Sequence, residues 1–288
     1  MKLKRPNRKV SLIAGVLLAC LFSLGLWSFW LEPNGLVTRE IPLSMKEWPA
    51  SLDGVRVVLI SDLHVGSPYI NTEKLRRVVS AVNESQPDLI LIAGDFVIQG
   101  VLGGHFVEPD AIANELKNLR ARRGVYAVLG NHDWWYDGNL VRAALQKAGI
   151  TVLENEVARI EFGGTTVWLA GLADFWTRPQ DIQGTVGKVS GDGPVIALTH
   201  NPDIFPGVPA RVVLTLAGHT HGGQVNLPLI GRPKVPSKFG QRYAAGHVQE
   251  GGRHLFVTTG IGTSIIPLRF RVRPEIAVLI LKSESKTQ

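Results

Sequence analysis

With a single cysteine, Cys20, the chain can form no intramolecular disulfide. It contains no internal repeat and no low-complexity tract, so repeat arrays and biased linkers are excluded. Acidic residues are missing ahead of Val10, where Lys2, Lys4, Arg5, Arg8 and Lys9 stand together. Those five carry most of the formal net charge of +7 and leave the remainder near neutrality. A body so weakly charged lacks the footprint of a nucleic-acid-binding surface, and no nucleic-acid partner is expected. Charge is absent altogether from Val10 to Leu31. As a helix that run spans roughly 33 Å, enough to cross a hydrocarbon core. Trp27, Phe29 and Trp30 stand at its far end, where interfacial aromatics belong. The run is too long for a cleaved signal, and no Ala-x-Ala-like site follows it. Largely apolar residues after Cys20 also argue against lipoprotein processing at Leu17-Leu18-Ala19-Cys20.

The expected organisation is a basic tail over 1–9 and one transmembrane anchor over 10–31. A linker and lead-in segment over 32–53 follows, with a boundary near Pro33-Asn34-Gly35, and then one large domain over 54–288. The basic tail predicts a cytoplasmic N-terminus, which puts the domain on the outer, periplasmic face of the inner membrane.

What the chain does have is five short polar clusters, each after an apolar run: SDLH (61–64), GD (94–95), GNHD (130–133), THN (199–201) and GHTH (218–221). They hold Asp62, His64, Asp95, Asn131, His132, His200, His219 and His221, a mixture of carboxylate, amide and imidazole. That mixture suits manganese, iron or zinc. Seven such groups serve two divalent metal ions if one carboxylate is shared, and paired metals activate water for displacement at phosphorus. An isolated Asp or His at a strand end is more often a cap or turn former, so the weight lies in the ensemble. The chain therefore reads as a dimetal phosphoesterase.

The preceding runs VRVVLI (55–60), DLILIA (88–93), GVYAVL (124–129), PVIALT (194–199) and RVVLTLA (211–217) read as strands covered on both faces. Helical patterns over 72–85, 109–121 and 137–149 separate the first three, with Thr72 and Asp137 as candidate N-caps. Such alternation predicts parallel pairing with right-handed crossovers, and ligands collect beyond the carboxyl ends of the strands. After residue 150 short strands dominate, with a hairpin expected at Gly163-Gly164 and further strands over 254–260 and 274–282.

These clusters resemble the calcineurin-like metallophosphoesterase superfamily, from about residue 54 to 282. THNPD (199–203), AGHTHGGQV (217–225) and GIGTSIIPLRFRVRPEI (260–276) resemble its bacterial membrane-associated phosphodiesterase branch. The resemblance implies an α/β fold, a four-layer α/β/β/α sandwich, here preceded by one transmembrane helix. It implies that Asp62, His64 and His221 hold one metal, that Asn131, His200 and His219 hold the other, and that Asp95 bridges them. It makes His132 catalytic, facing the phosphate rather than the metal. The Phe96-Val97-Ile98-Gln99 stretch lacks the Arg of protein Ser/Thr phosphatases and the Tyr of purple acid phosphatases, so both subclasses are disfavoured. Where the branch usually has Asp-Asp, this chain has Ala173-Asp174.

The resemblance further implies a phosphodiester or pyrophosphate substrate, including a lipid-linked one such as UDP-2,3-diacylglucosamine of lipid A synthesis. That intermediate is made on the cytoplasmic side; it therefore competes with the outward-facing topology, unless residues 1–31 lie in the inner leaflet. A nuclease or nucleotide phosphoesterase of the same fold, and a non-catalytic metal-binding scaffold, stand as alternatives. Several smaller features remain open on sequence grounds. Asp133 reads equally as a support or a turn cap. Trp134, Trp135 and Tyr136 read as a substrate wall or as core. Residues 204–274 hold nine Arg/Lys against Glu250 alone, and Arg232, Lys234, Lys238 and Arg242 could meet phosphate, anionic headgroups or only solvent. His105, His247 and His254 fall outside the clusters and are expected to be structural or exposed.

Overall fold

The computed structural model describes residues 8–284, so Lys2, Lys4 and Arg5 of the basic tail lie outside the described residues. The helices are α1 (Arg8–Leu26), α2 (Glu32–Asn34), α3 (Thr72–Glu84), α4 (Pro109–Leu116), α5 (Asn131–Tyr136), α6 (Gly138–Lys147) and α7 (Ile182–Gly187). The strands are β1 (Val37–Met45), β2 (Val55–Ile60), β3 (Leu89–Ala93), β4 (Val125–Val128), β5 (Thr151–Val152), β6 (Glu156–Phe162), β7 (Thr165–Gly171), β8 (Val195–Leu198), β9 (Val212–Ala217), β10 (Gly246–Glu250), β11 (Arg253–Val257) and β12 (Glu275–Ser283).

They form two six-stranded sheets, ordered β1-β12-β2-β3-β4-β5 and β10-β11-β9-β8-β7-β6. Strands β2 to β5 run parallel, as the alternation with helices requires, while β12 enters antiparallel to β2 and makes the sheet mixed. The second sheet is mixed too, with the β6–β7 hairpin turning at Gly163-Gly164, both at positive φ.

Alternation within the apolar strands explains the layering. In β2, Val58 and Ile60 pack under the helices, while Val57 and Leu59 face the other sheet; Ile90 and Ile92 divide from Leu89 and Leu91 in the same way. A third cluster, including Leu172, Val195 and Val212, lies under α7 and the 3-10 turn Pro202–Gly207. Helices, sheet, sheet and a thinner helical cover make four layers.

Three local expectations change. Asn71, not Thr72, caps α3, its side chain accepting from the Lys74 amide; Asp137 does cap α6. Helix α4 stops at Leu116 rather than near 121. The segment 32–53, expected as linker and lead-in, contains β1, which pairs in parallel with β12 from Val37 to Met45.

At the N-terminus α1 continues through a π-helical turn, Trp27–Leu31, into α2. This helix, Arg8–Asn34, is the single one among the described residues long and apolar enough to cross a membrane, and its apolar window is uncovered by the rest of the chain. Its last turns are seated on the domain. The Arg269 amide donates to the Ser28 carbonyl (2.9 Å), the Tyr69 hydroxyl to the Phe29 carbonyl, and Lys74 Nζ to the Asn34 carbonyl (3.1 Å). Glu32 and Pro33 are buried in that seat.

Candidate metal centre

Each polar cluster follows a strand, and the chain must turn abruptly there to project side chains over the sheet edge. Asp62, His64, Asp95, His219 and His221 all hold positive φ, between 40° and 68°. Non-glycine residues rarely keep that conformation, and it costs on the order of 1–3 kcal/mol each. The neighbouring glycines serve two purposes. Gly94 supplies a left-handed turn (φ 86°). Gly130 and Gly218 are not left-handed and serve close approach instead: an added Cβ would lie 2.2 Å from Asp95 Oδ1 and 2.0 Å from Ser61 Oγ, respectively. Asp133 ties two of these turns together. Its carboxylate accepts from the amides of Asp95 and Gly130 (2.9 Å each), Phe96 (2.9 Å) and Val97 (3.2 Å). It is therefore a bracket for the site as well as the support of its own turn.

The structure brings all eight predicted side chains together, and all are buried. Around His200 Nε2 stand Asp95 Oδ2 at 3.2 Å, Asn131 Oδ1 at 3.1 Å and His219 Nδ1 at 3.1 Å. His200 Nδ1 already donates to the Ala93 carbonyl (2.6 Å). Three electron-rich atoms around one nitrogen are more than a single N–H can serve. Burial pushes the His200 pKa down, but Asp95 pushes it further up, to about 10, so without a cation a proton takes that place.

The adjoining group repeats the pattern. His64 Nε2 lies 3.2 Å from His221 Nε2 and 3.5 Å from Asp95 Oδ2, and His221 Nε2 lies 3.4 Å from Asp62 Oδ1. His64 Nδ1 is engaged with the Val97 carbonyl at 3.2 Å, so its neutral ring turns a bare Nε2 toward His221. Burial holds the His64 pKa down near 3 and His221 well below its ordinary value. Two neutral rings then satisfy each other only with the His221 proton on Nε2, and His221 Nδ1 is buried without a partner. Burial lifts Asp62 to about 6; Asp95, which burial also pushes up, is carried well below its ordinary range by His200, His132 and His64. Convergent imidazole, carboxylate and amide atoms with too few protons among them fit divalent cations, and Asp62, His64 and His221 lie within 4.8 Å of one another at their donor atoms.

His132 sits at the margin of both groups. Its amide donates to Asp95 Oδ1 (2.9 Å), its ring meets His64 edge-on at 4.6 Å, and Trp135 covers it at 4.9 Å. Beside it opens a cavity of about 410 Å³ lined by Trp135, Trp176, Lys234, Ile265 and Ile266 among others. Of the three aromatics 134–136 only Trp135 lines it; Trp134 lies under Arg178 and Tyr136 packs on Phe106. Asp174 acts from behind, accepting from the Trp176 and Thr177 amides and the Thr177 hydroxyl, and so holds Trp176 edge-on against His219 at 4.3 Å. Of the four basic residues 232–242 only Lys234 lines this cavity. Arg232 donates to the Gly222 carbonyl, Lys238 lies over Phe175 and Arg242 pairs with Glu250. His247 and His254 pair with each other on the β10–β11 hairpin, and His105 is exposed. Trp176 and Ile265 carry no sequence signal as cavity residues, because they lie on loops without periodicity.

Two expected outcomes arise here. Gly130→Ala would press a methyl into Asp95; overpacking of this kind costs about 1–3 kcal/mol. The variant should stay folded but lose about 10–100-fold in activity or metal affinity, to be read by metal content and kcat; unchanged values would mean the turn yields without moving Asp95. Glu154, whose Oε1 accepts from the Leu129 amide just before that turn, is raised by burial to about 7, and its Oε2 is buried without a partner. The unfolded chain ionises near 4.5, so stability is lost as pH rises from there to about 7, by roughly 2–3 kcal/mol. Glu154→Gln should flatten that loss and raise Tm above pH 7 but not below pH 4.5, measured by thermal unfolding across pH.

Comparison with known proteins agrees with this geometry. Residues 55–223 match the calcineurin-like phosphoesterase family. The chain is 35% identical over 257 residues to the metallophosphoesterase YkuE of Bacillus subtilis, covering 88% of each. It is 32% identical over 235 residues to phosphodiesterase YaeI of Escherichia coli, covering 78% of this chain and 82% of that one. It is 31% identical over 272 residues to a transmembrane protein with metallophosphoesterase domain from Danio rerio, covering 87% of this chain but 58% of that longer protein.

Proposed function

The chain belongs to the calcineurin-like phosphoesterase family and is a metal-dependent phosphoester hydrolase, and from that premise we propose a single-pass membrane enzyme that cleaves a phosphodiester or pyrophosphate bond in a lipid-linked substrate. The observation that carries this reading is the shared wall between cavity and anchor. Loop residues Ser264, Ile265, Ile266 and Leu268 line the cavity, with Ile265 and Ile266 exposed, and the next residue, Arg269, donates its amide to the last turns of the apolar helix. A substrate whose apolar part stays in the bilayer would reach the site along that wall. The transmembrane wording of the Danio rerio relative supports the anchor.

In this reading Asp62, His64 and His221 would hold one cation, Asn131, His200 and His219 the other, and Asp95 would serve both. Manganese is the favoured metal, with iron or zinc as the other candidates for this donor set. The cations would supply charge neutralisation at the phosphoryl oxygens and activation of water. Asp133 keeps Asp95 and the Asn131 turn in register, and Asp174 keeps Trp176 over His219. His132 protonates the leaving oxygen or steadies charge on the phosphoryl group. Trp135 and Trp176 exclude water from the reacting atoms. The basic tail supports the outer face as the side of the domain.

The test is a metal-reconstituted screen spanning bis-p-nitrophenyl phosphate, nucleotides and UDP-2,3-diacylglucosamine, together with a reporter fused after Gln288. The reading expects hydrolysis of diesters, a gain in kcat/KM when the substrate carries acyl chains, and reporter activity outside the cytoplasm. Preference for nucleotides without acyl chains would instead favour a nucleotide phosphoesterase. A cytoplasmic reporter would reverse the topology.

A further inference from the structure

A second cavity, of about 690 Å³, opens where the anchor meets the domain, and it is walled by Arg39, Arg232, Arg271, Arg273, His247 and Glu275 among others. Its four arginines face a single carboxylate, whereas several arginines elsewhere have one each. Arg76, Arg122 and Arg242, for example, are each matched by a carboxylate. Here the one acid is already engaged. Glu275 Oε1 accepts from the Thr258 hydroxyl and the Thr259 amide, and Oε2 accepts from Arg39. Among the described residues, neither Arg271 nor Arg273 pairs with a carboxylate, and both are exposed. Arg271 is also held at φ 55°, which L-residues rarely keep without a local reason.

The position of this cavity relative to the apolar helix gives the charge a meaning. The helix ends at Asn34. The Arg273 guanidinium lies against the next residue, Gly35, where an added Cβ would come within 3.1 Å of Nη2. The Val37 amide donates to the Pro274 carbonyl (3.0 Å), which joins the chain to the cavity wall two residues later. Beyond the hydrocarbon a bilayer presents a polar layer of about 5–7 Å, and charges act over a Debye length of about 8 Å. Arg273, lying against the first residue after the helix, would stand within both distances, and Arg271 lines the same cavity. The guanidinium fork matches phosphate oxygens pairwise.

We propose that this cavity is a binding site for the phosphate of an anionic phospholipid headgroup, held chiefly by Arg271 and Arg273 with Arg232 behind them. The proposal rests on the reading of Arg8–Asn34 as a membrane anchor. The site is separate from the metal centre: Arg232 faces the arginine cavity, while Lys234, two residues on, lines the other. The Arg232 hydrogen bond to the Gly222 carbonyl (3.0 Å) joins the two walls directly beside His221.

Full-length protein would be taken from nanodiscs containing phosphatidylcholine and phosphatidylglycerol, and the retained lipid read by native mass spectrometry. The expected result is selective retention of phosphatidylglycerol that inorganic phosphate does not displace. Each arginine near a membrane surface is worth about fivefold, so R271Q/R273Q should bind the anionic lipid about thirtyfold less well. The same variant should hydrolyse bis-p-nitrophenyl phosphate at the wild-type rate, which also shows that it is folded. Equal retention by the variant, or equal retention of phosphatidylcholine by the wild type, would overturn the site. Displacement by inorganic phosphate would overturn the lipid as its ligand. Extraction of the full chain from membranes by alkaline carbonate is read separately: release would remove the anchor, while the retained-lipid measurement would still report on the cavity.

Discussion

Asp95→Asn should remove both metal and activity, with kcat/KM for a diester falling on the order of 10³-fold or more. The carboxylate reaches the imidazoles of both halves of the centre through one oxygen, Oδ2, which lies 3.5 Å from His64 and 3.2 Å from His200. Its other oxygen takes the His132 amide. An amide in that position keeps the shape but loses the negative charge that would let two cations sit side by side. Several kcal/mol of charge stabilisation at phosphorus would depend on them, and 4 kcal/mol is about a thousandfold in rate. Loss of a ligand to one cation alone, as in His221→Ala, should leave the other ion partly occupied. Metal analysis of purified Asp95→Asn decides the matter: two ions at full occupancy would exclude a bridging role for Asp95.

His132→Ala should separate catalysis from metal binding. Both ions should remain while kcat falls by about 10²–10⁴-fold, the range for general acid–base assistance. The backbone of residue 132 is pinned by Asp95, but its ring packs between His64 and Trp135, at the edge of the cavity. Burial pushes its pKa down, with Asp95 and Asp174 pulling the other way. If the ring protonates the leaving oxygen, the defect should shrink for p-nitrophenolate, which needs little protonation. Equal loss for good and poor leaving groups would leave electrostatic stabilisation as its role. Loss of an ion would instead place His132 among the ligands, a geometry its donor atom permits, since it lies within 4.8 Å of those of His64 and Asp95.

The central strands and the clustering of polar residues behind them are legible in the amino-acid sequence for a common reason. A buried parallel strand must be apolar on both faces, so VRVVLI and LILIA stand out, and whatever polar group follows them has to sit at the sheet's edge. The edge strand β1 is hidden for the opposite reason. TREIPL exposes most of one side and carries Pro42, which is tolerated because β1 pairs with β12 alone. Asn71 escapes notice as a cap because Thr72 beside it is equally suited by type. Around the centre, Asp133 contributes through the amides of Asp95, Phe96 and Val97 in a distant loop, which no local spacing encodes, while Asp174 shapes the turn that follows it. Arg269 is harder still. It is a fully buried cation whose guanidinium donates to the carbonyls of Thr259, Gly260, Gly262 and Val272, and nothing in the run PLRFRV distinguishes it from its exposed neighbours.

The place of β12 in the first sheet has a consequence for how the molecule is made. This strand lies between β1 and β2, and Val55 finds its partner Leu281 more than two hundred residues further along. During synthesis β1 therefore has no neighbour, and β2 lacks one on that side, until almost all the rest of the domain has emerged. Two open strand edges are a standing invitation to pair with another nascent chain. Anchored by the apolar helix ahead of β1, such chains would be concentrated at a membrane while the gap remains open. Overproduction should thus yield edge-paired aggregates well before it yields thermally unstable protein. Shortening the wait, by a circular permutation that moves β12 ahead of β2, should raise the soluble fraction without changing the stability of the finished fold.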